Sequence, residues 1–209
     1  MDIIPLKKRS FKNISGFTVV ELMVTITIVV LATGIIMLQY SSFNSSVLLK
    51  SQAYLTAFDI REAQSLAVSV RGNSEGSTAQ FYEQYGLHFD MNTSQHQYLL
   101  FQDDDSKSAG VDQDPARWNA GEEIGVPYIV DSRFIIKDIC ATASSRICFS
   151  TTPTFNTLDI SFKRPDFDAT FYTPGGGTDA QSVEIIFGTE NGSLTKKVTV
   201  YTTGQIKIE

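Results

Sequence analysis

Residues 17–38 read FTVVELMVTITIVVLATGIIML, 22 positions of which only Glu21 carries a charge. At 1.5 Å per residue such a helix is about 33 Å long, enough to cross the hydrocarbon core of a bilayer. Lys7, Lys8, Arg9 and Lys12 precede the run, so the positive-inside rule holds the N-terminus in the cytoplasm and carries everything after residue 38 across the membrane. A single pass with the C-terminus outside is the expected topology.

Three readings of this segment compete. A cleaved secretory signal has an apolar core of about 7–15 residues and a small-residue cut site behind it, and this core is longer. A plain anchor fits the length but gives no reason for Glu21, because an ionisable group inside an apolar run is costly and implies a partner or a task. The third reading accounts for it. Ser15-Gly16-Phe17-Thr18-Val19-Val20-Glu21 resembles the processing site of type IV prepilins and type II secretion pseudopilins. That resemblance implies cleavage after Gly16 by a membrane prepilin peptidase, N-methylation of Phe17 and a Glu at the fifth mature position, here Glu21. Cleavage would create a cationic amine within one turn of the carboxylate, on the same or a neighbouring subunit. In a low dielectric either charge alone would cost several kcal/mol, so their pairing is expected to set the axial register of subunits in a filament.

The net charge of −6 is unevenly spread. The first sixteen residues hold four basic groups against Asp2, or +3, which leaves −9 for the remainder. An acidic body disfavours nucleic acid, whose binding is driven by Lys and Arg displacing counterions. Partners are expected instead in the membrane and among other pilin-like subunits through the N-terminal helix.

Beyond residue 38 no Pro interrupts the helical pattern. Residues 47–71 are expected to form an amphipathic half, with Leu48, Leu55, Phe58, Ala63, Leu66 and Val70 in one stripe facing a core and Arg71-Gly72 as the stop. From residue 72 the period changes to two. Candidate strands lie at Tyr85, Leu87 and Phe89, at 98–101, 128–130, 134–139, 147–150, 158–163 and 167–172, at Val183, Ile185 and Phe187, and in a closing hairpin with Val198, Val200, Ile206 and Ile208 around Thr203-Gly204. The expected class is α+β, a long helix packed on an antiparallel sheet or β-sandwich head. The domain plan is a leader at 1–16, the helix at 17–71 (membrane-spanning 17–38), and an extracytoplasmic head at 72–209. Residues 57–67 (AFDIREAQSLA) and 196–208 (KKVTVYTTGQIKI) are similar to the GspH/FimT branch of minor pseudopilins and minor pilins.

Few residues suggest chemistry. Asp103, Asp104, Asp105, Asp112 and Asp114, with Glu122 and Glu123 beside them, are of the type that calcium takes as oxygen ligands, but their spacing is not that of an EF-hand and a solvated acidic loop is the alternative. Cys140 and Cys148 are spaced to meet across a hairpin, as a disulfide or as two buried thiols. His88 and His96 flank the first hairpin turn near Asp90 without a third placed ligand. No GxSxG or phosphate-cradling motif occurs, and Pro174-Gly175-Gly176-Gly177 reads as a surface connection, so no enzymatic activity is expected.

The expected function is a structural minor subunit of a type II secretion pseudopilus or type IV pilus near its tip, passing from the inner membrane into a periplasmic or extracellular filament. A FimT-like DNA-binding subunit using Lys196, Lys197 and Lys207, and a membrane-anchored binding domain, are the alternatives.

Overall fold

The computed structural model describes residues 16–69, 84–103, 117–163, 165, 167–174, 179–190, 192 and 194–209, with the backbone alone at 38–43. Residues 1–15 of the expected leader, the helix stop at Arg71-Gly72, Val70, Asp104, Asp105, Asp112, Asp114 and the Gly175–Gly177 connection lie outside these residues. The chain divides into two compact units, one ending at Asn44 and one running from Ser45 to Glu209. The break falls within helix α1 (Val19–Val68), so the helix contributes to both.

The first unit is apolar helix with its side chains exposed, and Val19–Met37 is long and apolar enough to cross a membrane. Three of its threonines are satisfied locally. The hydroxyls of Thr25, Thr27 and Thr33 donate to the carbonyls of Leu22, Met23 and Val29 at 2.7–2.9 Å. These hydroxyl protons are used within the helix, which lowers the cost of placing the three residues in apolar surroundings.

In the second unit the chain shuttles between two five-stranded antiparallel sheets. Strands β1 (Gln84–Asp90), β2 (Gln97–Asp103) and β3 (Tyr128–Ile129) enter the first sheet, β4 (Ile135–Thr142) and β5 (Arg146–Cys148) the second. Then β6 (Thr157–Phe162) and β7 (Ala169–Tyr172) return to the first, and β8 (Ser182–Gly188), β9 (Thr195–Tyr201) and β10 (Ile206–Ile208) close the second. The orders are β3-β2-β1-β6-β7 and β10-β9-β8-β4-β5. Every expected strand is present, with ends shifted by up to three residues, as at β4, which runs on to Thr142, and at β7, where exposed Phe167 precedes the strand.

Alternation sets the core. Val183, Ile185 and Phe187 are buried, and register sets Val183 against Val200 and Ala141, and Ile185 against Val198 and Ile139. An irregularity between Ile136 and Asp138 lets Ile136 and Ile139 both turn inward despite their odd spacing. Leu87, Phe89, Leu100, Ile160, Phe162 and Phe171 from the first sheet join the same core, as do helix residues Leu49, Ala53, Ala57, Ile60, Ala63 and Ala67. Burying Leu49 or Ile60 stabilises the fold by about 1.5–3 kcal/mol each relative to exposure.

The helix is rotated relative to the expected stripe. Ala63 is buried, and Leu48 and Leu66 pack partly against the core, but Leu55 and Phe58 point outward. The inward face is a ridge of alanines with Leu49 and Ile60, flanked by Gln52 and Thr56. Hydrophobicity alone ranks Phe58 above Ala57. Space decides otherwise, because the aromatic side chains of the sheets already fill the volume and small helix residues fit against them. Polar contacts then pin the rotation. Tyr98 Oη lies 2.5 Å from Asp59 Oδ2, Asp131 N–H donates to Gln52 Oε1, and Tyr128 Oη donates to Glu62 Oε2. On the other side, Gln64 Nε2 donates to the carbonyls of Phe167 and Gly204. Gly204 has φ +75°, and a Cβ there would sit 2.0 Å from Phe167 O, so only glycine fits this turn.

Cys140 and Cys148 stand opposite each other in the β4–β5 register and form a disulfide. Asp138 lies close to both sulfurs, but its carboxylate accepts from Ser150 N–H and Oγ, and disulfide sulfurs are not thiolate ligands. Across the second sheet a chain of ion pairs links Arg146 to Glu184 (2.6 Å), Glu184 to Lys197 (2.9 Å), Lys197 to Glu209 (2.8 Å), and Glu209 to Lys207.

Two measurements check this packing. Ala57→Leu inserts volume into the buried helix contact and is expected to destabilise the protein by about 1–3 kcal/mol in urea titration. For Glu184, burial acts to raise the carboxyl, but hydrogen bonds from Lys197 and Arg146 outweigh it and hold the group below its usual range. A depressed acid contributes stability that is complete above the unfolded value, about 4.3, and is lost as pH falls through the folded one. The urea midpoint is expected to drop between pH 6 and pH 3, and less steeply in Glu184→Gln.

Candidate assembly surface

The entry to the helix combines two signals. Gly16, Phe17 and Thr18 precede its first turn, and Thr18 Oγ1 accepts the Glu21 N–H at 3.2 Å. Thr18 is thus the N-cap and Glu21 the third helical residue, the Thr-x-x-Glu arrangement of a capping box, in which an acidic side chain also faces the positive end of the helix dipole. Glu21 therefore has a local structural task as well as the expected role in register.

On the second unit the outward face of α1 displays Val47, Tyr54, Leu55 and Phe58, with Tyr54 54%, Leu55 55% and Phe58 66% exposed. Positions 47, 51, 54, 55 and 58 follow helical spacing, so the four apolar groups form one stripe rather than scattered exposures. Scattered apolar residues on a surface are ordinary, whereas a contiguous apolar strip on a folded domain marks a contact surface. Lys50 lies at its upstream end, its ammonium 5.8 Å from the Tyr54 ring centre, while Asp59 and Glu62 occupy the downstream end. Burial raises the Asp59 carboxyl, partly opposed by the Tyr98 hydrogen bond and reinforced by the nearby negative charge of Glu62. Glu62 and the Tyr98 ring face Tyr128, whose hydroxyl is pushed up to about 12 by burial and by those carboxylates.

The other expected sites fare differently. Asp103 ends β2, while Glu122 is buried and accepts Asn119 N–H, and Glu123 accepts Gly121 N–H. These turn contacts occupy both glutamates. The remaining members of the acidic run are among the positions outside the described residues, and the calcium expectation falls there with them. His96 sits in the β1–β2 turn, whereas His88 is buried against Asp159 on β6, a partner that spacing along the sequence did not reveal. The signal available was an acidic residue in the otherwise apolar Leu158-Asp159-Ile160 stretch of a strand. Lys197 and Lys207 are engaged by Glu184 and Glu209, which leaves little of the C-terminal basic cluster for phosphate.

Because Leu55 and Phe58 are more than half exposed and lie outside the core cluster, Leu55→Ser and Phe58→Ser are each expected to change the urea-derived stability of the detergent-solubilised protein by no more than about 0.5 kcal/mol. A loss of about 2 kcal/mol or more from either change would place that side chain in the core. No family model, curated protein or solved structure matches the chain.

Proposed function

We propose that this chain is a structural minor subunit of a type II secretion pseudopilus or type IV pilus, processed after Gly16 and assembled through its N-terminal helix. The observation that carries the reading is the uncovered apolar stripe on the part of α1 that also packs on the β-rich unit. A helix that contributes both a membrane-competent segment and an exposed apolar face to one chain is suited to packing against other helices of its kind. The basic leader, the Gly16-Phe17 junction and Glu21 at the fifth position after it add the sequence pattern of a prepilin.

The chemistry follows from charge and solvent. Removing residues 1–16 takes away the basic residues that hold the helix in its inserted orientation and exposes an amine beside Glu21. In lipid or in a filament core that amine and a carboxylate stabilise each other, and a mis-stepped neighbour leaves both unpaired. The helix can then leave the bilayer only into surroundings equally apolar, which the stripes of neighbouring subunits supply. The acidic body and the engaged C-terminal lysines argue against a DNA-capturing subunit.

Intact-mass and N-terminal analysis of the membrane-extracted protein tests the reading. The expected chain begins at N-methylated Phe17, and a natural product retaining residues 1–16 overturns it. Glu21→Leu is expected to be inserted and cleaved normally yet to be missing from sheared filaments, and its normal incorporation would refute the register role.

A further inference from the structure

The outer face of the first sheet holds an arrangement that helix-mediated assembly does not use. His88 on β1 is 6% exposed, and register places it opposite Asp159 on β6, which is 2% exposed. His88 Nδ1 lies 2.5 Å from Asp159 Oδ1, while Asp159 Oδ2 accepts the Trp118 backbone N–H at 3.1 Å. The Trp118 ring stacks on the imidazole, 4.2 Å between centres. With Nδ1 donating to a carboxylate, Nε2 keeps its lone pair, and no described residue bonds to it. His88 also lines a cavity of about 70 Å³ together with Asp90, Thr93, Ser94, Gln97 and Trp118. That volume is room for several water molecules, since one needs only about 10–15 Å³ on this measure.

We propose that this cavity binds a first-row divalent transition-metal ion of the zinc or copper type, with His88 Nε2 and the Asp90 carboxylate as protein ligands. Asp159 is the carboxylate that orients the imidazole. A metal-binding histidine characteristically donates its other N–H to a carboxylate, which fixes the tautomer and raises the basicity of the ligand nitrogen. An imidazole with a carboxylate is a donor pair suited to zinc, copper or nickel, whereas calcium and magnesium take all-oxygen sets. Asp90 supplies the second donor from the same cavity wall, its Oδ1 accepting the N–H groups of Asn92 and Thr93 and its Oδ2 the Thr93 hydroxyl. Oδ1 takes two of these bonds and Oδ2 one, so Oδ2 keeps a lone pair for the ion. Water fills the remaining coordination positions, so the ion is exchangeable. A purely structural His–Asp pair would explain the Nδ1 contact but makes no use of Nε2 or the cavity.

The test uses the full-length protein in detergent, with zinc titrated by calorimetry and copper by fluorescence of Trp118, the chain's one tryptophan. Saturable one-to-one binding is expected, with quenching of Trp118 by copper and no response to calcium. His88→Gln is expected to abolish binding, Asp159→Asn to weaken it about 10–100-fold, and His96→Gln to leave it unchanged. Absence of saturable zinc binding to the wild type, or equal binding by His88→Gln, overturns the proposal. Should near-UV circular dichroism show that His88→Gln is unfolded, Asp90→Asn decides, since it leaves the His88–Asp159 pair in place. Weakened binding by that variant supports the site, and undiminished binding overturns it.

Discussion

The alanine face of α1 against the shared core is the contact on which the second unit depends. Ala53, Ala57, Ala63 and Ala67 share one core with two sheets whose inward side chains are mainly Phe, Leu, Ile and Val. Small helix side chains fit against those bulky ones, and on the same face only Leu49 and Ile60 are large. The outward position of Leu55 and Phe58 follows from the same constraint. A helix that packs through its smallest residues has to carry its larger apolar ones elsewhere, and here they form the surface on which the proposed assembly rests.

Polar groups set the angle at which this contact is made. Gln52, Thr56, Asp59 and Glu62 meet β2, β3 and Asp131, while Gln64 reaches the Gly204 turn. These bonds flank the alanine ridge on both sides, so rotating the helix would break one set without completing the other. Buried or half-buried donors without partners are costly, which gives a weakly amphipathic helix a single orientation.

The two faces of the first sheet divide the labour. One faces the core through Leu87, Phe89 and Leu100, and the other carries Gly86, His88, Asp159 and Ser161. Gly86 is needed there because a Cβ would lie 2.5 Å from Ile160 O and 2.7 Å from the Phe101 ring. Trp118 lies over this face on His88 and Arg117 over Tyr172, while residues 122–124 pair along the edge of β2 through the Gln102 to Glu122 and Ile124 to Leu100 backbone bonds. A buried polar pair is costly unless bonded, and His88 and Asp159 offset that cost through each other and through the Trp118 N–H.

What was legible in the linear sequence were the features encoded over a few residues. The apolar run, its basic flank, the ten strands and the closing hairpin follow from hydropathy, period and turn residues, each of which acts within a local window. The opposition of Cys140 and Cys148 was legible for the same reason, since eight residues of hairpin bring them together. Helix rotation, the His88–Asp159 pair and the chain of ion pairs from Arg146 to Lys207 depended on tertiary structure. Each is set by contacts between residues distant in the chain, where available volume and unsatisfied hydrogen bonds, rather than hydrophobicity, decide which side chain turns inward.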